Sequence, residues 1–248
     1  MSSDPKSIIR DIAPTGRLRA ALNFGNRVLV QRNAETGAVT GITPALAKEL
    51  GKRLGLEVDF VPHERAEAVF DSAKEQIWDI CFLASDPSRA TEISFSAPYV
   101  SIAGIYVVPD ASPVKANADV DKQGTRIGVS QGSAYDLFLT RAIKNAELVR
   151  IKDSNAVANL LLDKTVDVAA GIQQPMEAFV AAHAGYRTLP EPFMEITQAM
   201  GVPATRPPEV TVYLRRFIED VKASGFVRDV LDGNGQPDVA VARAYPVE

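Results

Sequence analysis

The chain has 248 residues, 46% of them apolar and 23% charged, and carries a net charge of −4 with acidic and basic residues interspersed. That balance belongs to a globular α/β-sized chain, either one large domain or two lobes of about 100 residues each, and it excludes disorder beyond the ends. No basic stripe exists to meet phosphates, so nucleic acid is not an expected partner, and the longest apolar runs, such as Ile102 to Pro109, are too short to span a bilayer.

One cysteine, Cys81, excludes an internal disulfide. The histidines, His63 and His183, lie too far apart in sequence to form a metal-ligand spacing, and neither a metal nor any other cofactor is expected. Cys81 sits in the apolar run from Trp78 to Leu83 and reads as an inert core thiol, because nothing nearby would depress its pKa. The opening residues, Met1 to Lys6, lack the basic, apolar and small-residue regions of an export signal. Two readings stay open there: a chain beginning at a mature boundary, or a protein that stays in the cytosol.

In chain order, Thr15 to Leu22 reads as a strand after a polar lead, and Val28 to Gln31 as extended chain before a turn at Asn33 to Gly37. Thr43 is the expected N-cap of a helix with Pro44 at its first position; Leu46, Leu50 and Leu54 share one face and Gly55 closes it. A strand over Glu57 to Pro62, a helix over Ala66 to Gln76 and a strand over Trp78 to Leu83 follow. This β-α-β-α-β order is that of a parallel sheet covered by helices.

The same order returns with a strand over Thr125 to Ser130, a helix over Tyr135 to Asn145 and a strand over Glu147 to Lys152. A helix capped by Ser154, with Val157, Leu160 and Leu161 inward, then leads to a strand over Val166 to Ala170. Asp79 and Asp167 occupy equivalent strands, through duplicated architecture or simple strand-start chemistry. Gly104 to Pro109 and Thr197 to Pro203 are extended crossings, and Glu209 to Ser224 is a long amphipathic helix that buries Tyr213, Phe217 and Val221, followed by Val227 and Val230. The expected fold is therefore α/β with two lobes, each a mostly parallel sheet flanked by helices. Residues 15–104 with 204–248 make lobe 1 and 110–198 lobe 2, joined by crossings at 105–109 and 199–203.

The segment Ala84-Ser85-Asp86-Pro87-Ser88-Arg89, followed by Ile93-Ser94-Phe95-Ser96-Ala97-Pro98-Tyr99, ends an apolar strand with a polar loop and an arginine. Arginine offers a planar, permanently charged fork that grips a carboxylate through two parallel hydrogen bonds. The segment resembles the family-3 extracellular solute-binding proteins, the polar-amino-acid receptors of ABC importers, and the resemblance covers roughly Arg17 to Gly233. It implies the two-lobed type II periplasmic-binding-protein fold, with Arg89 on the ligand's α-carboxylate. It also implies a turn at Gln131-Gly132-Ser133-Ala134 that binds the same carboxylate from the second lobe at the positive end of a helix.

Ligands of open α/β sheets bind at the carboxyl ends of strands. That rule selects the loops Asn23 to Asn26, Ala84 to Arg89, Gln131 to Tyr135 and Gly171 to Pro175. The candidate ligand-binding residues are Arg89, Ala84, Ser85, Ser133, Ala134, Asn23, Gln173 and Phe82, the last two open to other readings, Phe82 to core filling above all. No catalytic residue is assigned. Two departures from the family pattern stand out. Ala84 replaces a hydroxyl residue, with Ser85 as the nearest hydroxyl donor. Asn23, Ile172, Gln173 and Gln174 stand where amino-acid receptors keep acids, which removes the partner of a buried ammonium. A carboxylate with hydroxyl, amide or apolar substituents fits these residues better than a zwitterion, unless Glu64 or Asp86 meets the amine.

The expected function is capture of a small organic carboxylate, an amino acid or amino-acid-like anion, between closing lobes for an ABC-transporter permease, by a monomer in the periplasm or outside the cell. The alternatives are a cyclohexadienyl-dehydratase-like enzyme on the same scaffold and a ligand-sensing domain. The enzyme needs a pocket acid with a raised pKa, and neither an acid at Ile172 to Gln174 nor a histidine in the four loops supplies one.

Overall fold

The computed structural model describes residues 5–246. The chain divides into two compact units, one of residues 1–101 and 197–248, the other of residues 102–196. Helix α1 (Pro5–Ile12) precedes strand β1 (Leu18–Asn23), so the polar lead holds a helix that the sequence pattern does not announce. The stretch expected to be extended at Val28 is a turn, followed by a two-residue ribbon, β2 (Gln31–Arg32) and β3 (Val39–Thr40).

Helix α2 (Ile42–Leu54) begins one residue before the expected cap. Gly41 is the N-cap, at a φ of 117° and with Leu29 O only 2.4 Å from where a Cβ would stand, so no other residue fits there. Thr43 is inside the helix, and its hydroxyl donates to Leu29 O at 3.4 Å rather than capping. Leu46, Leu50 and Leu54 are buried as their spacing requires, and Gly55 closes the helix in the left-handed region.

Strand β4 (Val58–His63), helix α3 (Ala66–Asp71) and strand β5 (Ile80–Ala84) follow. The expected long helix stops at Asp71 and continues only as a 3-10 turn over Ser72–Glu75. There the Ser72 hydroxyl donates to Val69 O and accepts from the Trp78 indole, which diverts the chain inward to bury Trp78. Strands β1 and β4 pair in parallel, as do β1 and β5. Ala21, Val69, Trp78, Cys81, Leu83 and Ile93 form one core cluster of this unit.

Strand β6 (Ile93–Pro109) is seventeen residues long and buried along most of its length, so the expected Phe95 to Tyr99 run and the expected Gly104 to Pro109 crossing are two parts of one strand. Its first part belongs to the first unit and its second to the other, where Gly104 to Val107 pair antiparallel with β9. The second unit contains β7 (Arg126–Ser130), α4 (Ala134–Ala142), β8 (Glu147–Ile151), α5 (Asn159–Leu162), β9 (Val168–Ile172), α6 (Gln173–Ala182) and β10 (Tyr186–Thr188). Strand β7 lies between β8 and β9, parallel to both. The helix expected from Ser154 is a 3-10 turn followed by the four-residue α5; Asp153, not Ser154, makes the capping hydrogen bond. Val157, Leu161, Val166, Ala169, Met176 and Phe179 fill this core.

The chain returns to the first unit within β11 (Met194–Pro203), which pairs antiparallel with β5, and continues into α7 (Pro208–Ala223), α8 (Phe226–Gly233) and β12 (Ala240–Val241). Helix α7 packs on α1 and α8, burying Val210, Leu214, Phe217, Ile218 and Val221, while Tyr213 is half-buried. The passages between units fall at 101–102 and 196–197, somewhat before the expected crossings. The mixed, mostly parallel sheet with flanking helices is the α/β architecture the repeated pattern implies.

Candidate functional site

In the first unit the parallel strands β4, β1 and β5 end on one edge, with Asn23 opposite His63 and the Ala84 loop following β5. Asp86 and Pro87 set the turn that places Arg89. The Asp86 carboxylate accepts from the Ser88 N–H at 2.9 Å and the Ser88 hydroxyl at 2.7 Å, and its carbonyl accepts from the N–H groups of Arg89 and Ala90 at 3.0 Å each. Asp86 is thus buried and engaged in its own turn, which removes it as a swinging partner for an amine.

Arg89 is only 2% exposed, and its guanidinium donates to Ala84 O at 2.9 Å. Burial lowers its pKa to about 10, with the Asp86 carboxylate acting the other way, so the group stays cationic at neutral pH. Ser85 is exposed; its N–H donates to Thr197 O at 3.0 Å and its hydroxyl lies 3.0 Å from the Thr197 hydroxyl. Asn23 turns its amide oxygen to the Gly25 N–H at 3.1 Å. Phe82 is 3% exposed and meets the Tyr99 ring edge-on at 6.0 Å, and Ala84 is buried at the strand end. Glu64 is exposed and lines a cleft with Phe24, Arg27 and Arg32.

In the second unit, Gly132 turns the chain at a φ of 67° into α4, with Ser133 as its N-cap. The Ser133 hydroxyl accepts from the Asp136 N–H at 3.1 Å, and the Asp136 carboxylate accepts from the Gly132 N–H at 2.9 Å. Asp136 is 4% exposed and is also paired with Arg150 at 2.9 Å. The turn expected to bind a ligand carboxylate thus receives an internal carboxylate at its Gly132 N–H, beside Ser133 and Ala134. The signal lies in the sequence as Ser133-x-x-Asp136, a capping-box spacing. Ala134 opens the helix with its N–H in the first turn, where no intrahelical acceptor exists. Tyr135 is buried and hydrogen-bonds Ser130 and Ser133, and burial pushes its pKa up to about 12.

The expected fourth loop is absent as a loop: β9 runs to Ile172, which is the N-cap of α6 and offers no side-chain cap. Gln173 is half-buried and donates to Glu177 one turn on at 2.7 Å. Among the described residues no group of three or more His, Cys, Asp or Glu is placed to hold a metal. Cys81 is fully buried and burial raises its pKa to about 12, which leaves it as the inert thiol expected. No helix among the described residues is long and apolar enough to cross a membrane.

Residues 29–232 match the bacterial extracellular solute-binding proteins, family 3. No curated protein matches the chain significantly. Among solved structures, a cysteine-binding protein from Campylobacter jejuni aligns with a TM-score of 0.77 at 21% identity over 96% of this chain and 99% of its own. An amino acid ABC transporter substrate-binding protein from Streptococcus pneumoniae, bound to L-arginine, aligns at 0.77 and 18% identity over 95% of this chain and 100% of its own. An ancestral amino acid-binding protein, described as a precursor of cyclohexadienyl dehydratase, aligns at 0.75 and 17% identity over 91% of this chain and 98% of its own. These likenesses define the type II periplasmic-binding-protein fold. The chain belongs to the bacterial extracellular solute-binding proteins, family 3.

Proposed function

We propose that the protein is a solute receptor that captures a small organic carboxylate and delivers it to an ABC-transporter permease outside the cytoplasm. Arg89 grips the carboxylate from the first unit, assisted by Ser85 and Asn23 on the neighbouring strand ends. The further proposed ligand contacts are Ser133, Ala134 and Gln173 of the second unit, while Ala84 accepts from Arg89 and Phe82 lies on the strand that leads to it. Supporting the reading above all is Arg89: a buried, still cationic guanidinium at the carboxyl end of β5, held from behind by Ala84 O. Family membership supports the receptor role, and the matched neighbours support amino-acid-like ligands.

The ligand lacks a free α-ammonium, because Ile172 and Gln173 present no charge where it would lie, and Asp86 is tied into its turn. A thermal-shift panel of carboxylates tests this. A ligand at a hundred times its dissociation constant stabilises the folded form by about 2.7 kcal/mol, a shift of several degrees. Carboxylates without an amine are expected to give the larger shifts. Micromolar binding of a standard α-amino acid would overturn the ligand class and leave the receptor reading in place.

A further inference from the structure

Beside the Arg89 loop, the first unit carries a second cationic feature. Phe24, Arg27, Gln31, Arg32 and Glu64 line an open cleft of about 590 Å³, within the size range of small-molecule sites. The Arg32 guanidinium lies 4.3 Å over the Phe24 ring, which fixes its plane and leaves its edge N–H groups to face an acceptor. Neither Arg27 nor Arg32 forms an ion pair with a described carboxylate. Two guanidiniums against the single Glu64 carboxylate leave the cleft cationic.

Its position follows from the sheet. Phe24 follows the end of β1 and Glu64 the end of β4, while Arg89 follows β5; these strands are neighbours in the order β4-β1-β5, all parallel. Adjacent strands lie about 5 Å apart, so the ends of β4 and β5 stand about 10 Å apart on one edge, and the chain segments that carry the cleft and Arg89 both leave from that edge. We propose that the ligand is a diacid, with one anionic group for Arg89 and the other for Arg27 and Arg32. This rests on the carboxylate reading above and narrows it.

The test is calorimetry with straight-chain diacids of about three to six carbons and their half-amides, which differ in the second charge alone. Wild type is expected to prefer a diacid over its half-amide by about tenfold or more at low salt. In the Arg27→Ala, Arg32→Ala double variant that ratio is expected to fall toward one, with the unliganded melting temperature as the check that this exposed pair leaves the fold intact. Equal affinity for diacid and half-amide in wild type overturns the inference while leaving the carboxylate reading standing. Failure of both probes, and of every carboxylate in the thermal-shift panel, overturns both.

Discussion

Arg19 and Asp79 are locked by two parallel hydrogen bonds, Nε to Oδ2 at 3.0 Å and Nη2 to Oδ1 at 2.8 Å, while the Arg19 backbone N–H donates to Oδ2 as well. The second unit repeats the clamp between Arg126 and Asp167, at 3.1 and 2.9 Å, again with the arginine N–H on the same carboxylate. In each case the aspartate N–H donates to the arginine carbonyl. The paired aspartates seen in sequence thus perform one task twice, stapling the outset of a central strand to the chain entering its parallel neighbour.

The two clamps differ in environment, which sets their worth. The Asp79 side chain is 0% exposed and also receives Arg206 at 3.0 Å, whereas that of Asp167 is 46% exposed. Asp79→Ala leaves two guanidiniums without their buried partner and is expected to destabilise the fold by about 3 to 5 kcal/mol. Asp167→Ala, its pair screened by water, should cost about 1 kcal/mol or less. Urea titration of both variants measures the contrast, and equal losses would contradict it.

Acid should weaken the second unit in a defined window. Asp119 is held down to about 2 by the Lys115 N–H first, with Lys122 and the Ala116 N–H, and Asp121 is lowered by the N–H groups of Ala146, Asn145 and Lys144. Folded-state values below the unfolded value of about 3.9 mean stability that is present above that pH and lost as pH falls through the folded value. The melting temperature is therefore expected to drop between about pH 4 and pH 2, and to drop less in Asp119→Asn. A variant with the wild-type profile would remove Asp119 from this account.

Ile172 offers a test of both capping and ligand charge. It occupies the N-cap of α6 without a capping side chain, so Ile172→Asn and Ile172→Asp should each stabilise the helix start by about 0.5 to 2 kcal/mol, offset in part by the apolar burial that isoleucine provides. Only the aspartate brings a charge, so only it should raise affinity for an α-amino acid in calorimetry. A matching gain in the asparagine variant would show that charge is not the cause.

Arg89 does more for the fold than its place in a ligand loop suggests. An arginine exposed in a cleft contributes little to stability, but the structure buries this one against Ala84 O. Arg89→Ala is expected to lower stability by about 1 to 3 kcal/mol, because the Ala84 carbonyl loses a buried donor. Thermal melting without ligand checks this, and an unchanged midpoint would contradict it.

Strand and helix order is legible because apolar periodicity reports burial directly, as in Leu46, Leu50 and Leu54 of α2 and in the repeated β-α-β-α-β runs. Boundaries fail where a side chain far along the chain decides them. Ser72 ends α3 because Trp78 needs its hydroxyl, and Gly41 starts α2 because Leu29 O leaves no room for a Cβ. Among the candidate site residues, the Arg89 loop can be found from its motif. The Asp136 cap at the N-terminus of α4 can be read from Ser133 and Asp136, but the reach of Arg150 to Asp136 depends on strand pairing of β7 with β8 and is invisible in sequence.

The central claim, carboxylate capture by Arg89, is tested most directly by calorimetry of the carboxylate that shifts melting most, titrated into wild type and into Arg89→Lys. Lysine keeps the charge but cannot pair bidentately, and the loss of a desolvated fork on a carboxylate is expected to weaken binding by about 2 to 5 kcal/mol, about 30-fold or more. Affinity in folded Arg89→Lys equal to that of wild type would contradict the account.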